Sequence, residues 1–219
     1  MGCRIAHIAD VHWRGLSRHA EYREVFQAFA KQALEQGVSH IFVGGDVFHT
    51  KTSGISPEYI DQMRWWLGLL ANVAEVHITL GNHDGNLVNL TRQDAVTPIV
   101  EAMANPRIHL YKKSGVYEFE PGYNWCIFSL FDEEGWDSVE PVPGKVNIAC
   151  YHGPVKGATT ESNWRLEEGL SVEFFERFDF CLLGDIHRLQ YLGARPAELT
   201  IEKDDLRLYP GADVLGVAG

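Results

Sequence analysis

Five short clusters constrain this chain more than anything else in it: Asp10-Val11-His12, Gly45-Asp46, Gly81-Asn82-His83-Asp84, His152-Gly153 and Gly184-Asp185-Ile186-His187. Each follows an apolar run of strand length. Open α/β sheets collect whatever stands beyond the carboxyl ends of their strands into one crevice, so the pattern predicts strands that carry these residues to a common edge. Carboxylates, neutral imidazoles and one amide in that mixture suit Mn²⁺, Fe or Zn²⁺ better than Ca²⁺, which makes metal chemistry the first expectation.

The runs between the clusters alternate strand and helix. Residues 4–9 read as a buried strand delivering Asp10 and His12. Tyr22, Val25, Phe26, Phe29, Ala30, Ala33 and Leu34 then recur at helical spacing up to Gly37, and Ile41, Phe42 and Val43 form a second strand before Asp46. Ser56-Pro57 opens another helix with Tyr59, Ile60, Met63, Leu67 and Leu70 on its apolar face, and residues 76–80 make the strand that ends at Gly81. A helix is expected around 92–103. Beyond it the texture shifts to short strands at 107–111, 115–120, 124–130, 145–151 and 178–183, with antiparallel segments near 188–193, 198–202 and 206–209. The acidic run Asp132, Glu133, Glu134 reads as a solvated loop. The simplest layout that buries so many apolar strands is α/β: two mixed sheets packed face to face with helices outside, in a single domain over residues 1–219.

Composition narrows the class. With 45% apolar and 22% charged residues the chain is an ordinary globular one. Cys3, Cys126, Cys150 and Cys181 stand singly in apolar, strand-like runs and read as reduced core residues, not as a disulfide frame or a zinc knuckle. No apolar run has the length of a membrane span and no secretory pattern opens the chain, so a soluble, cytoplasmic protein without a membrane partner is expected. The Met1-Gly2-Cys3 start has Ala6 where N-myristoylation wants Ser or Thr. A net charge of −11 argues against a free-standing nucleic-acid binder that works by neutralising phosphates. A nucleic-acid substrate would need metals, a local basic strip or a basic partner to hold it.

As chemistry, Asp46 fits a carboxylate shared by two cations, an arrangement that lets both act on one phosphate oxygen. Asp10 and His12, one residue apart, would point the same way in an extended chain and complete one shell, and Asp185 and His187 repeat that spacing. Asn82 offers a neutral amide oxygen. His83 could stand outside the shells and protonate a leaving alkoxide, with Asp84 orienting it and fixing its tautomer. Taken singly, each cluster is an ordinary turn or cap; five together in order are not. His7 and His77, inside strands, read as core or sheet-face residues, His19, His40 and His109 as surface or structural ones, and Trp65 and Trp66 as packing.

Running in order from Asp10 to His187, these motifs resemble the calcineurin-like metallophosphoesterase superfamily, whose set is D-x-H, G-D, G-N-H-D, H and G-H-x-H. The resemblance implies the four-layer metallophosphoesterase sandwich and two divalent cations, Mn²⁺ first, with Mg²⁺, Fe and Zn²⁺ as alternatives. It implies that Asp10, His12, Asp46 and His187 hold one cation and Asp46, Asn82, His152 and Asp185 the other, with His83 as proton donor. The wording Gly44-Gly45-Asp46-Val47-Phe48-His49, with Tyr209-Pro210-Gly211 later, is similar to the SbcD-type DNA repair nuclease branch, including phage recombination nuclease subunits. In that branch His49 would be a nonligand that steers substrate. DNA and an SbcC-type coiled-coil ATPase are the implied partners; the oligomeric state stays open, a dimer being one alternative. Two departures stand out. Asp185 replaces the family's usual His, trading a neutral nitrogen for an anionic oxygen, which should favour Mn²⁺ or Mg²⁺. The chain also ends at Gly219, so a catalytic domain without the branch's DNA-capping and ATPase-binding regions is expected.

The leading expectation is therefore a metal-dependent phosphodiesterase, a DNA exonuclease or endonuclease subunit of a repair or recombination complex. Net charge and the missing cap favour an alternative, a small-molecule phosphodiesterase or phosphomonoesterase acting on a cyclic nucleotide or a phosphoprotein. A third reading, a scaffold that binds a repair ATPase without turnover, rests on Asp185 alone.

Overall fold

The computed structural model describes residues 3–14, 18–49, 55–160, 162–188, 190 and 192, together with the backbone of 213–218. In chain order the first half holds β1 (Ile5–Ala9), α1 (His19–Glu35), β2 (His40–Gly44), α2 (Pro57–Val73), β3 (Glu75–Thr79), α3 (Thr97–Met103) and β4 (Ile108–Tyr111). The second half holds β5 (Gly115–Glu120), β6 (Tyr123–Phe128), β7 (Val146–His152), β8 (Phe180–Gly184) and β9 (Asp213–Ala218). One sheet has the order β4-β3-β2-β1-β9, parallel throughout except for β9, which lies antiparallel to β1. The other has the order β5-β6-β7-β8, with β5 antiparallel to β6 and the rest parallel. This is the expected α/β pair of mixed sheets.

Side-chain alternation explains why the core has layers. Ala6, Ile8, Ile41, Val43, Val76 and Ile78 share one face of the first sheet, where α1 and α2 cover them with Tyr22, Phe26, Met63, Trp66, Leu67 and Leu70. Ile5 and Phe42 point to the opposite face and pack on Trp125, Ile127, Ile148 and Cys150 of the second sheet. Both faces of β1 and β2 are thus buried, which is why their sequences read as unbroken apolar runs. The outer face of the second sheet is covered differently. Cys126, Phe128, Ala149 and Tyr151 pack there against Val155, Phe175 and Phe178, from a loop and a 3-10 turn at Val172–Phe175.

Local chemistry sets the boundaries. α2 starts at Pro57 after an extended Ser56, and α1 stops where Gly37 takes a φ of 68°. α3 is shorter than the expected 92–103 because Asp94 ends the loop before it. Asp94 Oδ1 accepts the backbone N–H groups of Val96 and Thr97 at 3.0 and 2.7 Å, and Oδ2 accepts the Thr97 hydroxyl at 2.7 Å. An aspartate serving those N–H groups starts the helix there and leaves 85–93 as loop. The acidic run is also more ordered than a solvated loop. It enters a 3-10 turn at Glu133–Ser138, and Trp136 from that turn donates to the Ser129 carbonyl at 2.9 Å while packing on the second core.

Cys3 precedes β1 and the other cysteines lie within β6, β7 and β8; all four are free thiols. His7 and His77 are core residues as expected. Of the segment 188–193, Arg188, Gln190 and Leu192 are described and none is in a strand. The segments at 198–202 and 206–209, with Tyr209-Pro210-Gly211, lie outside the described residues. Among those described, no helix is long and apolar enough to cross a membrane.

Candidate metal centre

The five clusters converge at the carboxyl ends of β1, β2, β3, β7 and β8. The loops after β1 and β2 run side by side: Asp10 N–H donates to the Gly45 carbonyl at 3.1 Å, His12 N–H to Asp46 at 2.9 Å and Trp13 N–H to Val47 at 2.8 Å. Tyr22 of α1 donates its hydroxyl to the His12 carbonyl at 2.9 Å. From the second sheet, Asp185 N–H donates to both Asp10 carboxylate oxygens at 3.0 and 3.1 Å, and His152 Nδ1 meets the Gly44 carbonyl at 2.6 Å. The site's own residues stitch the two sheets together at this edge.

Backbone strain marks the same residues. Asp10, His12, Asp46, Asp185 and His187 take φ of 56, 46, 52, 76 and 54°, and among the described non-glycine residues only Ala104 and Asn163 join them in the left-handed region. That region costs an L residue roughly 1–2 kcal/mol, and strain of this kind persists where surrounding structure holds it for a purpose. The one-residue spacing in Asp10/His12 and Asp185/His187 therefore works by a route other than the expected extended alternation. Each pair is left-handed on both sides of a buried apolar residue, Val11 or Ile186, which anchors the turn.

Three sets of ligand atoms lie within 4.8 Å of one another: Asp10, His12 and His187; His12, Asp46 and His83; and Asp10, Asp46 and His152. Asp10, His12 and Asp46 are each common to two of them, and Asp46 is the most enclosed. Its Oδ2 stands 3.6 Å from His12 Nε2 and its Oδ1 3.4 Å from His152 Nε2, while His12 and His187 aim their Nε2 atoms at each other across 3.1 Å. Asp46 Oδ2 and His152 Nε2 are nevertheless buried without a hydrogen bond. Buried polar atoms without a hydrogen bond are costly, and a divalent cation is the partner that carboxylate oxygens and imidazole nitrogens have in common. The donor set fits a metal.

Electrostatics agrees. Burial depresses His12 to about 4, against the pull of Asp46, so it is neutral at pH 7 as a ligand must be. Burial opposes charge on His152 too, yet the Asp46 carboxylate 3.4 Å from its Nε2 raises it to about 10. Asp46 in turn is held below the usual carboxylate range despite burial, by His152 and by the His83 N–H at 2.8 Å. A cation held by Asp46 and His152 would require His152 to give up that proton.

The loop after β3 departs from expectation in one respect. His83 does not turn to Asp84; its Nδ1 meets the His49 carbonyl at 2.7 Å. Asp84 faces the interior, where its oxygens accept the N–H groups of Phe48 and Gly81 at 3.1 and 2.9 Å. Burial, with the neighbouring Asp46 charge, raises Asp84 to about 7. It clamps the β2 and β3 loops, and the backbone of His49 performs the orienting role. The His49 ring stands edge-on to His12 and parallel to His83, with centroids 5.7 and 6.4 Å away. Asn82 precedes His83 on this loop. Asp185 contributes its N–H to Asp10, and its carboxyl, raised by burial first, feels His152 and Asp46 but joins none of the three sets.

Glycines allow this crowding. A methyl group on Gly81 would collide with the Asp46 carboxylate, and one on Gly184 with the Gly44 carbonyl and the His152 ring. These contacts are steric demands that the motif letters contain without displaying. Also unforeseen are Arg188 and Gln190, whose only signal in sequence is their place just after His187.

A model of the calcineurin-like phosphoesterase family matches residues 3–194, and the chain belongs to that family. The chain is 38% identical over 205 residues to an uncharacterized protein of Acanthamoeba polyphaga mimivirus; the match takes in 86% of this chain and spans 15% of that relative's length. Among solved structures it is similar to the crystal structure of Pseudomonas putida nuclease MPE, with 16% identity and a TM-score of 0.38, covering 74% of this chain and 66% of that one.

Proposed function

We propose that the chain is a dinuclear, Mn²⁺-preferring phosphodiesterase that cuts nucleic acid, in the manner of a DNA repair or recombination nuclease. The observation that supports the dinuclear reading is the Asp46 carboxylate, whose Oδ2 faces His12 and whose Oδ1 faces His152, with Oδ2 buried and without a hydrogen bond. Asp10, His12, Asp46 and His187 would hold one cation, and Asp46, His152, Asn82 and Asp185 the other. Two divalent cations bound there would supply charge neutralisation for the phosphoryl oxygens and lower the pKa of a water.

The chain's own groups do the rest. His152 is fixed through Nδ1 by the Gly44 carbonyl, which leaves Nε2 facing Asp46. His83, fixed through Nδ1 by the His49 carbonyl, presents Nε2 to the edge of the cluster, where it can hand a proton to the departing oxygen. Asp84 keeps both loops in place without touching substrate. The nucleic-acid assignment rests on the wording from Gly44 to His49; an SbcC-type ATPase partner and a dimer belong to the same proposal.

The net charge of −11 favours a second reading, a phosphoesterase for small molecules or phosphoproteins. Mn²⁺-loaded protein assayed on single- and double-stranded DNA, cyclic nucleotides and a phosphoprotein separates the two. Cleavage of DNA far ahead of the others is the expected result. Intact DNA beside hydrolysed cyclic nucleotide or phosphoprotein overturns it.

A further inference from the structure

Between β7 and β8 the chain makes an excursion, residues 154–170, that the metal centre does not use. Its base is sealed by Val155 and Ala158, both fully buried. Its two arms pair through Gly157 N–H to Leu166 and Leu166 N–H to Ala158, each at 2.8 Å, and the tip closes through Thr160 N–H to the Trp164 carbonyl at 2.8 Å. At that tip Trp164 is 69% exposed, whereas Trp13, Trp66 and Trp125 are buried.

The tip is tied to the metal edge. Gln190, three residues beyond His187, accepts the Thr159 N–H at 2.9 Å and donates to the Thr159 carbonyl at 2.7 Å. Arg188, next to His187, donates to Asn163 Oδ1 at 2.6 Å, and Asn163, beside Trp164, takes a φ of 60°. Single exposed apolar residues are common and mean nothing alone. Here a large flat ring is held on a hydrogen-bonded tip, one residue along from the contact that joins it to a candidate ligand. Arg165 and Arg188 flank it, both exposed, on a chain otherwise acidic. Glu167 and Glu168 are exposed on the returning arm, so the excursion carries both signs of charge, and Arg188 is the cation that stands next to a candidate ligand in the chain.

We infer that Trp164 is a stacking platform for a nucleobase of the strand being cut, with Arg188 and Arg165 meeting the phosphates beside it. This rests on the nuclease reading above and adds a substrate class to it: a single strand or unpaired end, gripped without regard to sequence. Stacking is the contact an acidic protein can use on a polyanion, since every base offers a π face whatever the net charge.

The test uses Mn²⁺-loaded protein and a series of short single-stranded oligonucleotides, each with one abasic position. Stacking of one base is worth about 5- to 150-fold by alanine substitution. Trp164→Ala is expected to raise KM for the intact oligonucleotide by about tenfold or more with kcat little changed, as loss of one stacked base predicts. Trp164→Phe restores most of the loss. In the wild type one abasic position should cost the same factor, and that position should cost Trp164→Ala nothing further. If Trp164→Ala cleaves intact and abasic strands as the wild type does, the platform is overturned and the nuclease reading survives. If the wild type leaves every oligonucleotide intact while hydrolysing a small phosphoester, both fall.

Discussion

The chain places imidazoles in two settings a few residues apart along the same strands, and they end with opposite properties. Between the sheets, the register sets His7, Phe42, His77 and His109 abreast across β1 to β4. There His40 Nδ1 meets His77 Nε2 at 3.0 Å, His77 Nδ1 meets the Tyr111 hydroxyl at 2.9 Å, and His40 Nε2 meets Glu120 at 3.2 Å. His77 stacks on His109 with centroids 5.0 Å apart. Burial drives His77 to about 2 and His7 to about 3, so these rings are neutral packing with polar edges. At the strand ends, left-handed backbone at His12 and His187, and the end of β7 at His152, bring three ring nitrogens toward Asp10 and Asp46, so that several rings converge on the same carboxylates. Residue type alone does not make a ligand. What separates the two sets is convergence: in the layer Glu120 and Glu75 each meet one ring, of His40 and of His109, whereas at the strand ends the Asp46 carboxylate stands between His12 and His152.

The sharpest break of that comparison removes the shared carboxylate. Asp46→Ala should abolish turnover and drop bound metal, read by elemental analysis, from two ions per chain to none, while His77→Gln keeps both metals and its activity. Retention of two ions in Asp46→Ala would dissolve the dinuclear assignment. Next in size is His83→Ala, expected to lose about 10²- to 10⁴-fold in kcat, the usual worth of a general acid, with metal content unchanged. Loss of one metal from that variant would move His83 into the ligand shell, since it lies within reach of His12 and Asp46.

How legible each region was in sequence follows from the same contrast. Strand ends could be read because an apolar run followed by Asp, Asn or His is a local signal, and Pro57 and Gly37 are local punctuation for helices. Asp94, which delays α3 to Thr97, is also local, but its capping role competes with helical periodicity in the same window. His83's partner could not be read at all: a backbone carbonyl from His49 has no letter of its own, and the adjacent Asp84 offered a plausible substitute. The left-handed conformation of Asp10, His12, Asp46, Asp185 and His187 is a tertiary imposition on residues whose own preference is elsewhere. β9 and the histidine layer depend on pairing across long stretches of chain, which alternation within one strand does not encode.

Asp185 sharpens the comparison from within the site, because it stands where the family carries an imidazole. Asp185→His should lower the ratio of Mn²⁺- to Zn²⁺-supported turnover, since an anionic oxygen suits the harder ion and an imidazole the softer. The fold should persist, as its N–H, not its carboxyl, makes the bond to Asp10. Identical relative activation by Mn²⁺, Mg²⁺ and Zn²⁺ in both proteins would remove the hardness argument.

The smallest expected effect lies in the histidine layer and is read as stability against pH. His7 and His77 ionise near their ordinary 6.5 when the chain is unfolded, but only at about 3 and 2 when folded. Between those values the unfolded chain binds the extra protons, so folding stability falls as pH falls below about 6.5, by about 1.4 kcal/mol per pH unit for each fully neutral group. His152 does not contribute in that window, because its raised value keeps it protonated in the folded state and its effect is lost only as pH rises toward about 10. Asp84, at about 7 when folded, opposes the trend by taking up a proton in the folded state as pH falls. Comparing variants with wild type by urea unfolding at pH 7 and pH 5 cancels both of those contributions. His77→Gln keeps hydrogen-bonding groups beside His40 and Tyr111 but cannot ionise, and should flatten the dependence by about one proton. His7→Leu should do the same and also raise stability at pH 7 by about 1 kcal/mol, because both His7 ring nitrogens are buried without a hydrogen bond among the described residues. A His7→Leu protein less stable than wild type at pH 7 would mean that His7 has a polar partner after all, and the layer would then resemble the site more than it differs from it.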